Sequence, residues 1–270
     1  MMKEYNDIDM SQWRESGINV ESLWIINERD KTGKHANVYH GNFVPQIPRQ
    51  LLKRYTRKGD IVLDMFMGSG TTLFEAEMQE RNFIGFDINP AIVDYVKSKM
   101  TDSSETSINP IKYKIHLCDV TNTEQVDSCL RSDFSDSKEP LVDFIISHPP
   151  YMDIVRFTEN ENDLSHITDL EKFIEKYILA LGNVLKFLKP NRYFAIVIGD
   201  VYKNSEVIPL GFYVMNAVRQ HFDVRLKGVI VKNIEGNRGK LGMNDIWHYR
   251  AINSDYFIFK HEYIFVFKKL

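Results

Sequence analysis

The feature that most limits how this chain can fold is the regular alternation of short apolar strands with helical segments. Helical spacing of apolar residues covers 71–80, 89–100, 170–188 and 209–222. Strands are predicted at 61–65, 82–87, 112–118, 142–147, 193–199, 223–233 and 256–269. This alternation predicts an α/β fold with a doubly wound, mostly parallel sheet of seven strands. No helix-length segment is predicted between the last two strands, so the final strand is expected to be antiparallel.

The size and composition of the chain favour one globular domain over 1–270. The chain has 270 residues, 43% of them hydrophobic and 26% charged. No apolar run is long enough to span a membrane, and the first residues contain no apolar signal-peptide core. The two cysteines, Cys118 and Cys129, do not form a metal-ligand pattern. We therefore expect a reducing, cytoplasmic setting, with no membrane segment and no metal site.

A glycine-rich turn follows the strand at 61–65. The segment DMFMGSGTT (64–72) leads directly into a predicted helix. Glycines permit a sharp turn and close approach of the backbone to a ligand, and a helix start offers free N–H groups. The dinucleotide fingerprint is not matched, because Thr72 and Leu73 occupy the region of its third glycine, and no phosphate-loop lysine follows. A plain tight turn stays an alternative for this segment alone.

Two acids follow the ends of the next two strands. Asp87 ends the strand at 82–87, where a carboxylate can accept hydrogen bonds from two ribose hydroxyls. Asp119 follows the strand at 112–118 and could accept a hydrogen bond from an adenine amino group. Ligands bind outside the carboxyl ends of parallel strands, so the turn and both acids are expected at one nucleoside-binding edge. Either acid alone could equally be a solvated surface residue.

The sequence His-Pro-Pro-Tyr at 148–151 ends the strand at 142–147. Two prolines fix the backbone, remove two donors and leave carbonyls in set directions. The Pro149 carbonyl and the His148 side chain could accept the two hydrogens of a base amino group, and the Tyr151 ring could stack on a flipped-out base. A rigid turn that closes a strand is the alternative interpretation.

Together the two motifs resemble those of the DNA amino-methyltransferases that make N4-methylcytosine or N6-methyladenine. The family carries F-x-G-S-G-T-T, matched at 66–72. It also carries (D/N/S)-P-P-(Y/F/W), which corresponds to 148–151, about 75 residues later, with its last three positions matched. Residues 40–60 and 83–90 resemble the family's extra cofactor motif and its second-strand motif. The resemblance implies the class I methyltransferase (Rossmann-like) fold and S-adenosyl-L-methionine as cofactor. The implied cofactor-binding residues are Phe43, Asp64, Phe66, Gly68, Ser69, Gly70, Thr71, Thr72, Asp87, Ile88 and Asp119, and the implied catalytic residues are His148, Pro149, Pro150 and Tyr151.

The chain departs from the family pattern at several points. Met65 stands where the family usually has proline, and His148 replaces the usual Asp, Asn or Ser. A neutral imidazole accepts one hydrogen bond and a protonated one accepts none, so activity is expected to depend on the pKa of His148. The cofactor loop also precedes the catalytic motif, unlike the permuted order common among N4-cytosine enzymes. No large target-recognition domain is evident.

The expected segments are an N-terminal extension (1–34), the extra cofactor motif (35–60), the core (61–233), a recognition loop (234–255) and the last strand (256–270). Basic residues cluster at both ends of this layout: 34–58 holds six Lys/Arg and no Asp/Glu, and 225–270 holds nine against four. These stretches could meet phosphates, or the segregation could be ordinary surface variation. The expected nucleic-acid contacts combine basic and aromatic side chains: Arg238, Lys240, Trp247, Tyr249 and Arg250.

The resemblance implies double-stranded DNA with a flipped base as the partner, and allows a cognate restriction enzyme. The pattern S-x-P-P-Y-x-D at 147–153 favours N4 of cytosine over N6 of adenine. Two alternatives stay open: an RNA or protein amino-methyltransferase, and a non-catalytic methyltransferase-like subunit that binds nucleic acid. The sequence specifies neither the target site nor the oligomeric state.

Overall fold

A sheet flanked by helices forms the body of the protein in a computed structural model, which describes residues 5–35, 41–101, 110–133, 141–234 and 244–270. The strands are β1 (Leu23–Trp24), β2 (Ile61–Asp64), β3 (Asn82–Asp87), β4 (Tyr113–Leu117), β5 (Val142–Ser147), β6 (Leu188–Ile198), β7 (Val201–Lys203), β8 (Glu206–Ile208), β9 (Val224–Asn233) and β10 (His261–Lys269). The helices are α1 (Gln46–Tyr55), α2 (Thr71–Met78), α3 (Pro90–Thr101), α4 (Thr123–Asp133), α5 (Leu170–Leu185), α6 (Leu210–His221) and α7 (Asn244–Asn253).

The main sheet has the strand order β1-β9-β10-β6-β5-β2-β3-β4. Strands β6, β5, β2, β3 and β4 are parallel, and β10 is antiparallel to both β6 and β9. The α/β class and the antiparallel last strand are therefore confirmed. The described sheet has eight strands where seven were predicted, because β1 pairs in parallel with the outer side of β9. A strand of two residues is too short to show the alternation by which strands are predicted.

The inner parallel strands β2, β3 and β5 are buried on both faces, whereas the edge strand β4 is largely exposed. Within β2, Val62 packs in the core beneath α1, α2 and α3, whereas Leu63 packs on the opposite face with α5 and α6. Side chains of a strand alternate between the two faces of a sheet, so one continuous apolar run supplies both cores. Three-layer packing of this kind leaves the strand ends as the place where a ligand can approach the backbone.

The prediction that no helix lies between the last two strands is wrong, because α7 occupies Asn244–Asn253. Its Ile246, Tyr249 and Ile252 are exposed, so the side chains of α7 whose burial is described form no buried apolar stripe that periodicity could detect. The antiparallel strand is still correct, since β10 returns beside β9. Of the helices in the described residues, α1 and α4 were also not predicted. None of the helices in the described ranges is long and apolar enough to cross a bilayer.

The chain changes direction across the sheet between β2 and β5. From β2 it proceeds to β3 and β4 on one side, and then to β5 and β6 on the other. Since β2 and β5 are hydrogen-bonded neighbours, their carboxyl ends flank a topological switch point. The glycine-rich turn and the His-Pro-Pro-Tyr segment follow these two ends, so the fold brings the two motifs together.

Candidate active site

A cavity of about 1330 Å³ opens at the carboxyl edge of the sheet, over the switch point between β2 and β5. Ligand pockets typically occupy about 300–1,000 Å³, so this cavity has room for a cofactor and part of a second molecule. Most of the residues predicted from sequence line it. They are Phe43, Phe66, Gly68, Thr71, Asp87, Ile88, Asp119, His148, Pro149, Pro150 and Tyr151.

The other predicted loop residues, Asp64, Ser69, Gly70 and Thr72, are outside the cavity lining. The buried carboxylate of Asp64 accepts a hydrogen bond from Thr72 Oγ1 at 2.6 Å and from the Phe66 N–H at 3.1 Å. Burial raises the pKa of Asp64 to about 7. Ser69 accepts a hydrogen bond from Asn42 Nδ2 at 2.6 Å. The Asp64 contacts hold the loop from outside the cavity, whereas Asn42, the partner of Ser69, itself lines the cavity.

Gly70 lies at the junction of the loop and α2, as the N-cap residue with φ of 85°. Only glycine adopts this left-handed conformation without strain. A Cβ atom here would also come within 3.0 Å of the Val96 side chain. Gly70 therefore allows the loop to turn sharply into α2 and α3 to pack closely against it.

Asp87 lies at the end of β3, in the cavity wall. Its Oδ2 accepts a hydrogen bond from the Gly68 N–H at 2.8 Å, and its Oδ1 accepts one from the Asn89 N–H at 2.9 Å. Burial raises its pKa to about 6 despite these two bonds. Each carboxylate oxygen has a second lone pair, so Asp87 retains the capacity to accept two further hydrogen bonds.

Asp119 follows β4 on the same edge and also lines the cavity. Its Oδ1 accepts hydrogen bonds from the Thr121 N–H at 2.8 Å and from the Thr121 hydroxyl at 2.7 Å, which fixes the carboxylate. The neighbouring Cys118 is buried, and burial raises the pKa of its thiol. A thiol in this state is a poor nucleophile.

The His-Pro-Pro-Tyr segment forms the opposite wall, beyond the end of β5. His148 Nε2 lies 3.1 Å from the Tyr151 hydroxyl, and the Phe43 ring packs 5.0 Å from the imidazole. Burial in this wall lowers the pKa of His148 to about 4, so the imidazole is neutral at pH 7. A Cβ atom on Gly199 would lie 2.9 Å from the Tyr151 ring, so this glycine leaves the space that the ring fills.

Two charged residues that the sequence motifs did not predict lie in the same wall, Lys232 on β9 and Glu262 on β10. Lys232 Nζ lies 3.2 Å from Glu262 Oε1, and both side chains are buried. The Tyr151 hydroxyl donates to Glu262 Oε2 at 3.3 Å. Each charge stands two positions along its strand from a buried isoleucine, Ile230 or Ile264. A charge on the same strand face as buried apolar residues is the signal that could have identified this pair, because unpaired charges are rarely buried.

The N-terminal extension supplies a further wall that was not predicted. Residues 27–31 line the cavity. Within this segment, Asp30 lies 2.6 Å from Arg49 Nη2, and Arg49 also binds the buried Glu75 at 2.7 Å. His35 Nε2 lies 2.9 Å from the same Glu75 carboxylate. Arg49 belongs to the basic stretch 34–58, so one of the six cations expected to meet phosphates holds the cavity wall instead.

The structure describes only some of the residues predicted to bind nucleic acid. Arg238 and Lys240 lie outside the described residues. Trp247, Tyr249 and Arg250 belong to α7, and Tyr249 is 69% exposed. Neither Tyr249 nor Arg250 lines the cavity. Ile234, which directly follows β9, does line the cavity.

Comparison with known proteins agrees with this geometry. The N6/N4 methyltransferase family model, described as DNA methylase, matches residues 1–98, which include the glycine-rich loop and Asp87. The type II methyltransferase M.MjaII of Methanocaldococcus jannaschii is 30% identical over 158 residues, covering 57% of this chain and 23% of that protein. The type II methyltransferase M.BglI of Bacillus subtilis is 38% identical over 85 residues, covering 32% of this chain and 22% of that protein.

The chain is thus similar to DNA amino-methyltransferases over its first 98 residues, and to parts of these two type II methyltransferases. It spans about a quarter of the length of these two relatives. Among solved structures, TrmN from Thermus thermophilus has a similar fold, with a TM-score of 0.51 and 18% identity over 84% of this chain and 49% of that one. The chain therefore combines the predicted fold with the two motifs at one cavity.

Proposed function

We propose that the protein transfers a methyl group from S-adenosyl-L-methionine to an exocyclic amino group of a DNA base. The observation that carries this proposal is the single cavity lined by both motifs. The loop residues Phe66 and Gly68 and the acid Asp87 form one part of its wall, and His148 and Tyr151 form another. A methyl donor and an acceptor base must lie side by side for direct displacement, and one cavity of this size accommodates that arrangement.

The cofactor part of the cavity has the donors and acceptors that a nucleoside with an amino-acid tail requires. The free acceptor capacity of Asp87 suits the two ribose hydroxyls, and the fixed carboxylate of Asp119 suits the adenine amino group. Phe66 and Ile88 provide apolar surface for the adenine ring, and the loop before α2 allows close backbone approach. Asp64 and Thr72 act from behind by holding the loop.

The catalytic part orients the target amine and accepts its hydrogens. When bound, S-adenosyl-L-methionine supplies an electrophilic methyl group. The neutral His148 imidazole and the Pro149 carbonyl accept the two hydrogens of the amino group, which directs the nitrogen lone pair toward that methyl group. The Tyr151 ring stacks on the flipped base. These side chains act by orientation and hydrogen-bond acceptance. As the methyl–nitrogen bond forms, the methyl–sulfur bond would break with S-adenosylhomocysteine as the leaving group, and the amino group would lose one hydrogen as a proton to water. No covalent enzyme intermediate is needed.

The finer assignment is N4 of cytosine in double-stranded DNA, within a restriction-modification system that includes a cognate restriction enzyme. The S-x-P-P-Y-x-D pattern at 147–153 supports cytosine. The type II methyltransferases that resemble the chain support DNA as substrate and the restriction setting. The segment 234–255, with the aromatic and basic residues on α7, is proposed to contact the DNA.

The decisive experiment is tritiated methyl transfer to plasmid DNA, total RNA and protein in parallel tubes. We expect label in DNA, and N4-methylcytosine by nucleoside mass spectrometry of the product. Label in RNA or protein alone would show that DNA is not the substrate. N6-methyladenine as the only product would show that adenine, and not cytosine, is the target base. If no tube gains label although S-adenosyl-L-methionine binds, the chain is a non-catalytic subunit.

A further inference from the structure

The buried ion pair between Lys232 and Glu262, next to the catalytic motif, has no role in the proposed methyl transfer. Lys232 and Glu262 are 4% and 6% exposed, yet both line the cavity. Isolated buried charges are strongly disfavoured, and even paired ones are often no better for stability than apolar residues of the same size. A pair retained at this position therefore calls for an explanation other than stability.

The ion pair determines the direction of the hydrogen bonds above it. Lys232 Nζ lies 3.2 Å from Glu262 Oε1, so the two side chains form an ion pair in which Glu262 is a carboxylate. An ionised carboxylate only accepts hydrogen bonds, so the single hydroxyl hydrogen of Tyr151 is donated to Glu262 Oε2, at 3.3 Å. The Tyr151 oxygen is then the acceptor in its 3.1 Å contact with His148 Nε2, and this nitrogen must carry a hydrogen.

A neutral imidazole has one N–H, so a hydrogen on Nε2 leaves the lone pair on Nδ1. Among the described residues, Nδ1 of His148 has no hydrogen-bond partner, and the imidazole lies in the cavity wall. We propose that Glu262, paired with Lys232, acts through the Tyr151 hydroxyl to fix the tautomer of His148, so that Nδ1 is the acceptor for the target amino group. This inference rests on the proposed function for the identity of the amino group. In it, Glu262 and Lys232 are positioning residues.

The arrangement accounts for the departure of this chain from the family motif. A carboxylate or amide oxygen accepts a hydrogen bond without any choice of tautomer, whereas an imidazole nitrogen accepts only when the other nitrogen carries the hydrogen. A histidine at position 148 therefore needs a partner that selects the tautomer. An asparagine at the same position would not.

The tautomer can be measured without any activity. Protein labelled with ¹⁵N at its histidines is recorded in a long-range ¹H–¹⁵N spectrum at pH 7, and the His148 signals are assigned by their loss in His148→Asn. We expect a protonated Nε2 and an unprotonated Nδ1 in the wild type, and a mixture of tautomers in Tyr151→Phe. Tyr177→Phe is the matched control, since it removes another buried hydroxyl, which lies 3.0 Å from Ser147 Oγ, and it should leave the His148 signals unchanged.

The kinetic test replaces the whole ion pair, because removing one charge alone would leave the other buried and could unfold the protein. The double variant Lys232→Met/Glu262→Met is expected to lower kcat about tenfold or more, with the affinity for S-adenosyl-L-methionine unchanged. In a His148→Asn background the same double change should cost less than about twofold, because asparagine needs no tautomer selection.

Two results would overturn the proposal. One is a wild-type spectrum in which Nδ1 carries the hydrogen. The other is an equal loss of kcat in both backgrounds, which would make the ion pair a purely structural element. If no nucleic acid is methylated at all, the proposed function fails, and the spectrum still decides whether Glu262 selects the tautomer.

Discussion

Replacing Asp87 by alanine tests the cofactor part of the site. Burial raises the pKa of this carboxyl to about 6, so the fold favours its protonated form relative to the unfolded chain. Above pH 6 the ionised Asp87 side chain therefore lowers the free energy of unfolding. Because alanine removes this unfavourable charge, Asp87→Ala is expected to stay folded. The carboxylate retains acceptor capacity for two ribose hydroxyls, since Gly68 and Asn89 each occupy only one of its lone pairs.

The loss of a hydrogen bond to a charged acceptor amounts to about 1.5–3 kcal/mol, so we expect the Kd for S-adenosyl-L-methionine to rise about 10- to 150-fold at pH 8. Calorimetric titration measures this directly. Asp94→Ala is the control, because Asp94 is an exposed acid on α3 only seven positions further along the chain. An unchanged Kd in folded Asp87→Ala would exclude the ribose role.

The pH dependence provides a second test of the same residue. A carboxyl with a raised pKa is ionised above that pKa and protonated below it, so cofactor affinity should weaken as the pH falls through about 6. At pH 5 about one molecule in ten retains the carboxylate, which predicts about tenfold weaker binding than at pH 8. Asp64 titrates near pH 7 and remains in Asp87→Ala. If the variant shows the same pH profile as the wild type, the titrating group is not Asp87.

Three further predictions concern the catalytic motif and the DNA contact. His148→Ala should lower kcat about 100-fold, with cofactor affinity retained. Because burial lowers the pKa of His148 to about 4, wild-type kcat at saturating cofactor should stay level down to about pH 5. A fall in kcat near pH 6.5, measured by tritium transfer, would contradict this expectation. Tyr151→Ala should lower kcat more than Tyr151→Phe, since stacking needs the ring, and equal losses would place the whole effect in the hydroxyl. Arg238→Ala and Lys240→Ala should each reduce the salt slope of DNA binding by about 1 in a sodium chloride series, and slopes equal to the wild type would remove this segment from the interface.

The sequence alone was sufficient for the α/β class, the antiparallel last strand and both motifs. Strands such as β3 and β5 begin and end where they were predicted, because a parallel strand buried on both faces is a nearly continuous apolar run. The turn before α2 was recognisable because its glycines meet a conformational demand that is local to the chain. Elements without such a local signal were missed, as the exposed helix α7 illustrates.

What only the tertiary structure decided is which side chains meet and in what state. Lys232 and Glu262 stand 30 positions apart on different strands, and their contact depends on the antiparallel pairing of β9 and β10. Glu262 is 111 positions from Tyr151, and their contact depends on the packing of this strand pair against the end of β5. Likewise, the motif contains His148 but not its pKa, which depends on burial by residues distant in sequence. Motifs such as the glycine-rich turn consist of consecutive residues and can be recognised from sequence. Burial and charge pairing arise only when strands remote in sequence become neighbours.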